Sequence, residues 1–144
     1  MIFDSGHFAK TQYLLERSMD VEAQRRKVIA DNMANADTPN FKRSEVTFEA
    51  SLKRALQSEN AVAEGTVPAR RTDDRHFTFY EPLDYKSVKP RLHLDSLTTM
   101  RNDGNNIDPE RESQDMLTNQ LRYQALAQIW NNNDRLIQTV MRAV

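Results

Sequence analysis

Helix-breaking residues are concentrated in the middle of this 144-residue chain, and that distribution restricts the fold more than any other feature of the sequence. No glycine or proline occurs between Phe8 and Asp37, and none from Glu110 to Val144. All five prolines (Pro39, Pro68, Pro82, Pro90, Pro109) and two of the three glycines (Gly65, Gly104) fall between those blocks or at their edges. Proline removes a backbone donor and glycine costs entropy inside a helix. The plan is therefore two long terminal helices around an irregular centre.

Both blocks carry apolar stripes. Leu14, Val21 and Val28 recur every seven residues, with Leu15, Met19, Ile29 and Met33 beside them at helical spacing. A helix over Phe8–Ala34 would be roughly 40 Å long at about 1.5 Å per residue. Pro39 ends it by pushing Thr38 out of the α region, and Asn35 and Asp37 tolerate the left-handed angles of helix exits. The C-terminal block is more regular: Met116, Tyr123, Trp130, Ile137 and Val144 form one seven-residue series. Asn119, Leu126, Asn133 and Val140 form a second, three residues later, and Ile129 and Leu136 widen the stripe. Asp108 is a good N-cap, Pro109 fits the first helical position, and Glu110 and Glu112 suit the positive end of the helix dipole. The expected fold is mainly α, with the N- and C-terminal helices paired as a coiled-coil-like bundle and a small irregular or β-containing middle. The corresponding parts are 1–37, 38–107 and 108–144.

The middle changes character. Val46 to Leu56 reads as a short amphipathic helix with Phe48, Leu52 and Leu56 four apart. Residues 60–74 are polar and read as a mobile loop. His76–Tyr80 alternates polar and aromatic residues like a strand, and Pro82 and Pro90 divide residues 81–94 into short extended pieces.

Apolar supply is thin. Leu, Ile, Val and Phe make up 31 of 144 residues, about 22%, just above the ~20% at which chains tend to disorder. A chain this poor in core residues orders when partner chains supply the missing buried surface. The net charge of −1, from 20 basic and 21 acidic residues, gives no field favouring nucleic acid or anionic membrane. Cysteine is absent, which excludes disulfides and Cys-ligated metal. No run of about 18 apolar residues reads as a membrane span. The start, Met1-Ile-Phe-Asp4, lacks the features of a secretory signal, so the expectation is a cytoplasmic chain or one exported without signal cleavage. His76 lies near Asp73, Asp74 and Glu81, but no HExxH, GxSxG, P-loop or dinucleotide fingerprint occurs. Nothing points to catalysis, a cofactor, a metal or a small-molecule substrate.

The most specific segment runs from Val28 to Arg43. It ends a helix with short polar side chains, then presents a rigid Thr38-Pro39 turn, an aromatic anchor at Phe41, and two bases. Asn32 and Asn35 sit where a helix face would carry apolar residues, and a buried Asn in a helix seam fixes register and partner at some cost in stability. On spacing alone, an ordinary helix exit remains the simpler reading.

The pattern Asn32, Asn35, Thr38, Pro39, Phe41, Lys42 after an N-terminal helix resembles the signature of the flagellar rod and hook protein family. Asn40 stands where that family usually has glycine, and Asn is the residue next most able to take left-handed angles. Asp103 to Asp108 with Glu112, followed by Asn119 to Leu126, is similar to the C-terminal region of the family's proximal rod subunits, which share this length. The two matches cover the outer thirds of the chain. The resemblance implies terminal helices that pair into the inner layer of a hollow tube, binding other copies, other rod proteins and the membrane-ring adaptor. The interface residues would be Leu14, Val21, Val28, Asn32 and Asn35 with Met116, Asn119, Tyr123, Leu126, Trp130 and Ile137. The turn Thr38, Pro39, Asn40, Phe41 and Lys42 would set how the chain leaves the tube core. It also implies passage through the flagellar type III export apparatus without signal cleavage. Phe48 and Leu52 fit the motif its gate reads, though any apolar i, i+4 pair does as much. A cytoplasmic coiled-coil adaptor or chaperone would use the same stripes to hold a partner.

Overall fold

The computed structural model describes residues 5–63, 73, 75 and 83–142. Its elements, in order, are α1 (Ser5–Ala34), β1 (Ser44–Thr47), α2 (Glu49–Ala63), a 3-10 turn (Tyr85–Ser87), β2 (Arg91–Leu94) and α3 (Pro109–Arg142). The fold is mainly α, with long terminal helices and a two-stranded antiparallel sheet in the middle. The chain divides into two compact units, residues 1–46 with 92–144, and residues 47–91.

In the first unit α1 and α3 pack together in antiparallel fashion: Asn32, late in α1, meets Glu112, early in α3, while Glu22 meets Asn119. The apolar core is small. Val21 and Ile29 are buried on α1, and Ala36, Val46 and Ile107 on the connections. Each large aliphatic fully buried contributes about 1.5–3 kcal/mol. α3 starts where its capping residues place it. The Asp108 carboxylate accepts from the Glu110 and Arg111 N–H groups at 3.0 and 3.4 Å, and its carbonyl accepts the first helical bond from Glu112. Such a cap contributes about 1 kcal/mol. α1 begins three residues earlier than the Phe8 start expected, taking in Gly6.

The heptad pattern of α3 is realised, with a drift. Met116, Asn119, Tyr123, Leu126, Trp130, Asn133 and Ile137 are buried or half-buried, while Ile129, Leu136 and Val140 are exposed. A straight helix turns about 20° per heptad away from a seven-residue series. Three heptads beyond Asn119, Val140 has rotated out of the seam.

The reading of Val46–Leu56 as helix needs correction at its start. Val46 and Thr47 belong to β1, and α2 begins at Glu49, where the Leu52 N–H bonds the Phe48 carbonyl at 3.0 Å. β-branched residues suit the pleated surface, and Asp95 donates its N–H to Arg43 O at 2.9 Å just before β1. α2 also runs on through Ala63, so the first part of the expected 60–74 loop is helical. The expected strand His76–Tyr80 lies outside the described residues. In the second unit α2 packs on the Tyr85–Ser87 turn. Ala55, Phe48 and Val88 are buried there, and Ser58 Oγ accepts from the Leu83 N–H at 2.9 Å.

Candidate functional site

The polar side chains of the first unit converge where α1 ends and α3 begins. Asn32 is 1% exposed, and its amide imitates a strand edge: Nδ2 donates to Ser44 O at 2.8 Å while Oδ1 accepts from Ser44 N at 3.1 Å. The same Nδ2 donates to Glu112 Oε2 at 3.1 Å. Glu112 is fully buried, and its other oxygen accepts from Arg43 Nε at 2.6 Å. Arg43 spreads its remaining donors to Glu45 at 3.0 Å and Asp115 at 3.3 Å. Burial works against the Arg43 charge, but Glu112 and Glu45 outweigh it and hold the guanidinium above its ordinary pKa. One side chain from each of α1, the connecting segment and α3 thus meets at a single carboxylate.

A second cluster closes the end of α1. Helix C-termini leave carbonyls without partners, and here Asn105 supplies them. Fully buried, it aims Nδ2 at Asn35 O, Ala36 O and Thr38 O at 3.2, 3.1 and 2.9 Å, while Oδ1 accepts from Ile107 N at 2.7 Å. Arg101 adds a bond to Ala36 O at 2.8 Å and a contact with Asp37 at 3.0 Å. Asn106 accepts from Arg43 N at 2.6 Å and donates to Asp95 O and Thr98 Oγ1. The Thr98 hydroxyl, with the backbone of Thr98 and Leu97, holds the Asp95 carboxyl below the usual aspartate range against slight desolvation. The bracing that this turn gains from an ionised Asp95 is present above the ordinary aspartate pKa and lost on acidification through the lower folded value.

The turn between these clusters is left-handed twice. Asn40 has φ of 60° and Gly104 has φ of 82°. The backbone angle is what favours glycine at 104; an added Cβ would also stand 2.6 Å from Asn40 Oδ1, the end of an exposed side chain that can turn aside. Asn40 donates its N–H to Asp103 O at 3.0 Å, and Lys42 Nζ donates to Thr98 O at 2.8 Å.

Further along the seam Asn119, 2% exposed, donates to the Glu22 backbone carbonyl at 2.9 Å and to its carboxylate, and Arg26 Nε donates to Asn119 Oδ1 at 3.4 Å. Arg26 also lies 5.3 Å from the Tyr123 ring centre, a cation–π contact. Arg25 bridges the Glu22 carboxylate at 2.7 Å and Val46 O at 3.2 Å.

Of the residues singled out from the sequence, Val21, Asn32 and Asn119 are buried inside this chain's own helix pair. Leu14, Val28, Asn35, Met116, Tyr123, Leu126, Trp130 and Ile137 are half-buried. Thr38, Pro39 and Asn40 are exposed, and Phe41 and Lys42 are half-buried. Phe48 is buried and Leu52 half-buried on the second unit. From the sequence, Asn105, Asn106 and Glu112 stand in the C-terminal motif and Arg43 is one of two bases after the turn, but none of them, nor Ser44, is given a bonding role beyond that of Glu112 at the helix dipole. The available signal was a pair of asparagines one residue short of an N-cap aspartate, since short amides there serve backbone rather than solvent.

These polar groups are spent on joining helix to helix and capping backbone. Among the described residues no group of three or more His, Asp or Glu side chains could hold a metal, and no helix is long and apolar enough to cross a membrane. The class this defines is a structural subunit organised around a locked pair of long terminal helices.

The comparisons with known proteins agree with that class. Residues 15–42, which span most of α1 and the turn, match the model of the family described as "Flagella basal body rod protein". The chain is 40% identical over 129 residues to "Flagellar basal body rod protein FlgB" of Borrelia hermsii, covering 90% of this chain and 93% of that one. It is 34% identical over 135 residues to the protein of the same description from Borreliella burgdorferi, covering 94% and 98%. It is 31% identical over 134 residues to that of Bacillus subtilis, covering 93% and 95%. The chain belongs to the flagellar basal body rod protein family. It is a structural component of the basal-body rod rather than an enzyme, and it assembles with other rod proteins.

Proposed function

We propose that this subunit builds the proximal part of the rod by polymerising through α1 and α3, joining further copies and other rod proteins to the membrane-ring adaptor and passing torque through helix–helix contacts. In this reading residues 1–37 and 108–144 are the rod-core helices and residues 38–107 the middle region between them. One observation carries it: the helix pair is locked internally by buried polar bonds, yet its seam is only half covered. Leu14, Val28, Tyr123, Leu126, Trp130 and Ile137 remain half-buried and Leu136 is 61% exposed. Neighbouring helices would remove that surface from water at about 25 cal/mol per Å². An adaptor or chaperone would not need it covered by more copies. Deleting the gene should abolish filaments and swimming while growth stays normal, and plasmid-borne protein should restore both. A deletion strain that still builds filaments would reject the rod reading in favour of the adaptor.

Export through the type III gate suits the same reading, with Phe48 and Leu52 as the recognised pair. Phe48 is 3% exposed when folded, so the gate would have to meet an unfolded chain. Replacing both by Ala should leave the protein in the cytoplasm at normal expression. Secretion at the wild-type level would reduce the pair to packing residues of α2.

A further inference from the structure

α3 carries a second line of side chains that its own chain leaves open. Arg111, Thr118, Arg122, Ile129, Leu136 and Val140 follow one another at intervals of seven or four, and so lie along one edge of the helix beside the buried seam. All six are exposed. Ile129, Leu136 and Val140 continue, as an aliphatic strip, the line that the two arginines begin. Neither guanidinium has a side-chain partner among the described residues, although Arg25 and Arg43 in the adjoining groove are both paired.

α1 carries the complement. Asp20 and Asp31 are eleven residues apart, the same interval as Arg111 and Arg122. Eleven residues are close to three full turns, about 16 Å along the axis, so each pair presents two like charges on one face at one spacing. Asp31 has no side-chain partner among the described residues, and Asp20 meets only Arg17, at 3.7 Å and largely exposed, a contact of little worth. Asp20 also rims a groove of about 210 Å³ with Glu16, Met19, Ala23, Tyr123 and Trp130. The α1 residues of this groove are turned about half a revolution from Arg25, Val28 and Ile29, which line the arginine-rimmed groove. The helix pair therefore sets Arg111 and Arg122 on one edge and Asp20 and Asp31, with exposed Lys27 between them, on the other; in the antiparallel register that sets Asp31 against Arg111, Lys27 faces Asp115.

We propose that α1 of a second copy of this chain docks antiparallel along the open edge of α3, setting its Asp31 against Arg111 and its Asp20 against Arg122. This rests on the rod-subunit reading: copies ranged side by side about one axis keep α1 of each antiparallel to α3 of the next. The register that aligns the two charge pairs also places Tyr13 opposite Ile129 and Gln24 opposite Thr118, so an aromatic covers the start of the aliphatic strip. Different flanks meet, which makes the contact heterologous, and it repeats from copy to copy instead of closing a dimer.

The absence of cysteine makes the test direct. Two differently tagged versions, Asp20→Cys and Arg122→Cys, would be expressed together in a strain lacking the native gene. Basal bodies would be isolated and treated with a short bismaleimide. The expected product is a dimer bearing both tags, with no dimer from either variant alone. In parallel, Arg111→Asp with Arg122→Asp should abolish swimming, and adding Asp20→Arg with Asp31→Arg should restore it. Dimers of one tag only, no dimer in completed basal bodies, or normal swimming of the double arginine variant would each overturn the proposal while leaving the rod reading intact. A gene-deletion strain that still swims would instead remove the reading beneath it.

Discussion

Glu112→Ala is expected to destabilise the folded chain by about 3–5 kcal/mol, the usual cost of breaking a buried ion pair from one side. The carboxylate is fully buried and takes the Arg43 Nε bond at 2.6 Å and the Asn32 Nδ2 bond at 3.1 Å. Removing it leaves Arg43, whose side chain is 13% exposed, facing a void with only Glu45 and Asp115 to hold it. Asn32 keeps its two bonds to Ser44, so the damage should centre on the start of α3 and leave β1 in place. Folded domains have about 5–15 kcal/mol in hand, so the loss is a large fraction of the total. Urea denaturation followed by circular dichroism reads it directly. The double variant Arg43→Leu/Glu112→Leu should recover much of the loss, because two apolar groups need no partner. A single Glu112→Ala variant within 1 kcal/mol of wild type would mean that the network does not hold the helices together.

The helices were legible because helix formation is a local matter. Asp108-Pro109 with two acids fixed the start of α3, and an unbroken run free of glycine and proline fixed its length. The inward face followed from the seven-residue series until drift carried Val140 out of the seam. β1 was illegible for a tertiary reason. Val46 adjoins the apolar series Phe48, Leu52 and Leu56 with no breaker between them, whereas partners distant in sequence hold the backbone ahead of its pairing with β2: Asn32 on Ser44, and Asp95 and Asn106 on Arg43. The polar network was hidden in the same way. Asn32 and Glu112 are 80 residues apart, and Arg43 and Glu112 are 69 apart. Asn32 could be read as a buried seam amide, whereas its partners could not be read from periodicity. The outer edge of α3 was misread in a useful sense: Ile129 and Leu136 were assigned to the same stripe as Trp130, and the structure separates them into a covered face and an open one.

The second large effect is expected at Asn105. Among the described residues its amide alone reaches three carbonyls at the end of α1, and it also orders the step into α3 by accepting from Ile107 N. With two hydrogens for three acceptors, at least one of these bonds is shared at any moment. Asn105→Ala removes both roles at once. Ala36 O retains Arg101 Nη1 at 2.8 Å, Asn35 O keeps the Thr38 N–H at 3.0 Å and Thr38 O the Phe41 N–H at 3.3 Å, so the group left buried without a partner is the Ile107 N–H. Such a group costs about 1–3 kcal/mol, and the carbonyl bonds lost beside it add to that, so a loss of about 2–3 kcal/mol is expected. Asn105→Asp separates the two roles. The carboxylate still accepts from Ile107 N, yet it turns negative charge toward three carbonyl oxygens, so it should be worse than alanine at neutral pH. Acidification should narrow that difference, since burial among acceptors raises the carboxyl pKa and favours the protonated form. Urea denaturation of both variants at neutral and mildly acidic pH, with amide exchange over residues 31–41, gives the order. If aspartate proves more stable than alanine at neutral pH, the carbonyls at the end of α1 are not what Asn105 serves, and its value lies in the turn at Ile107.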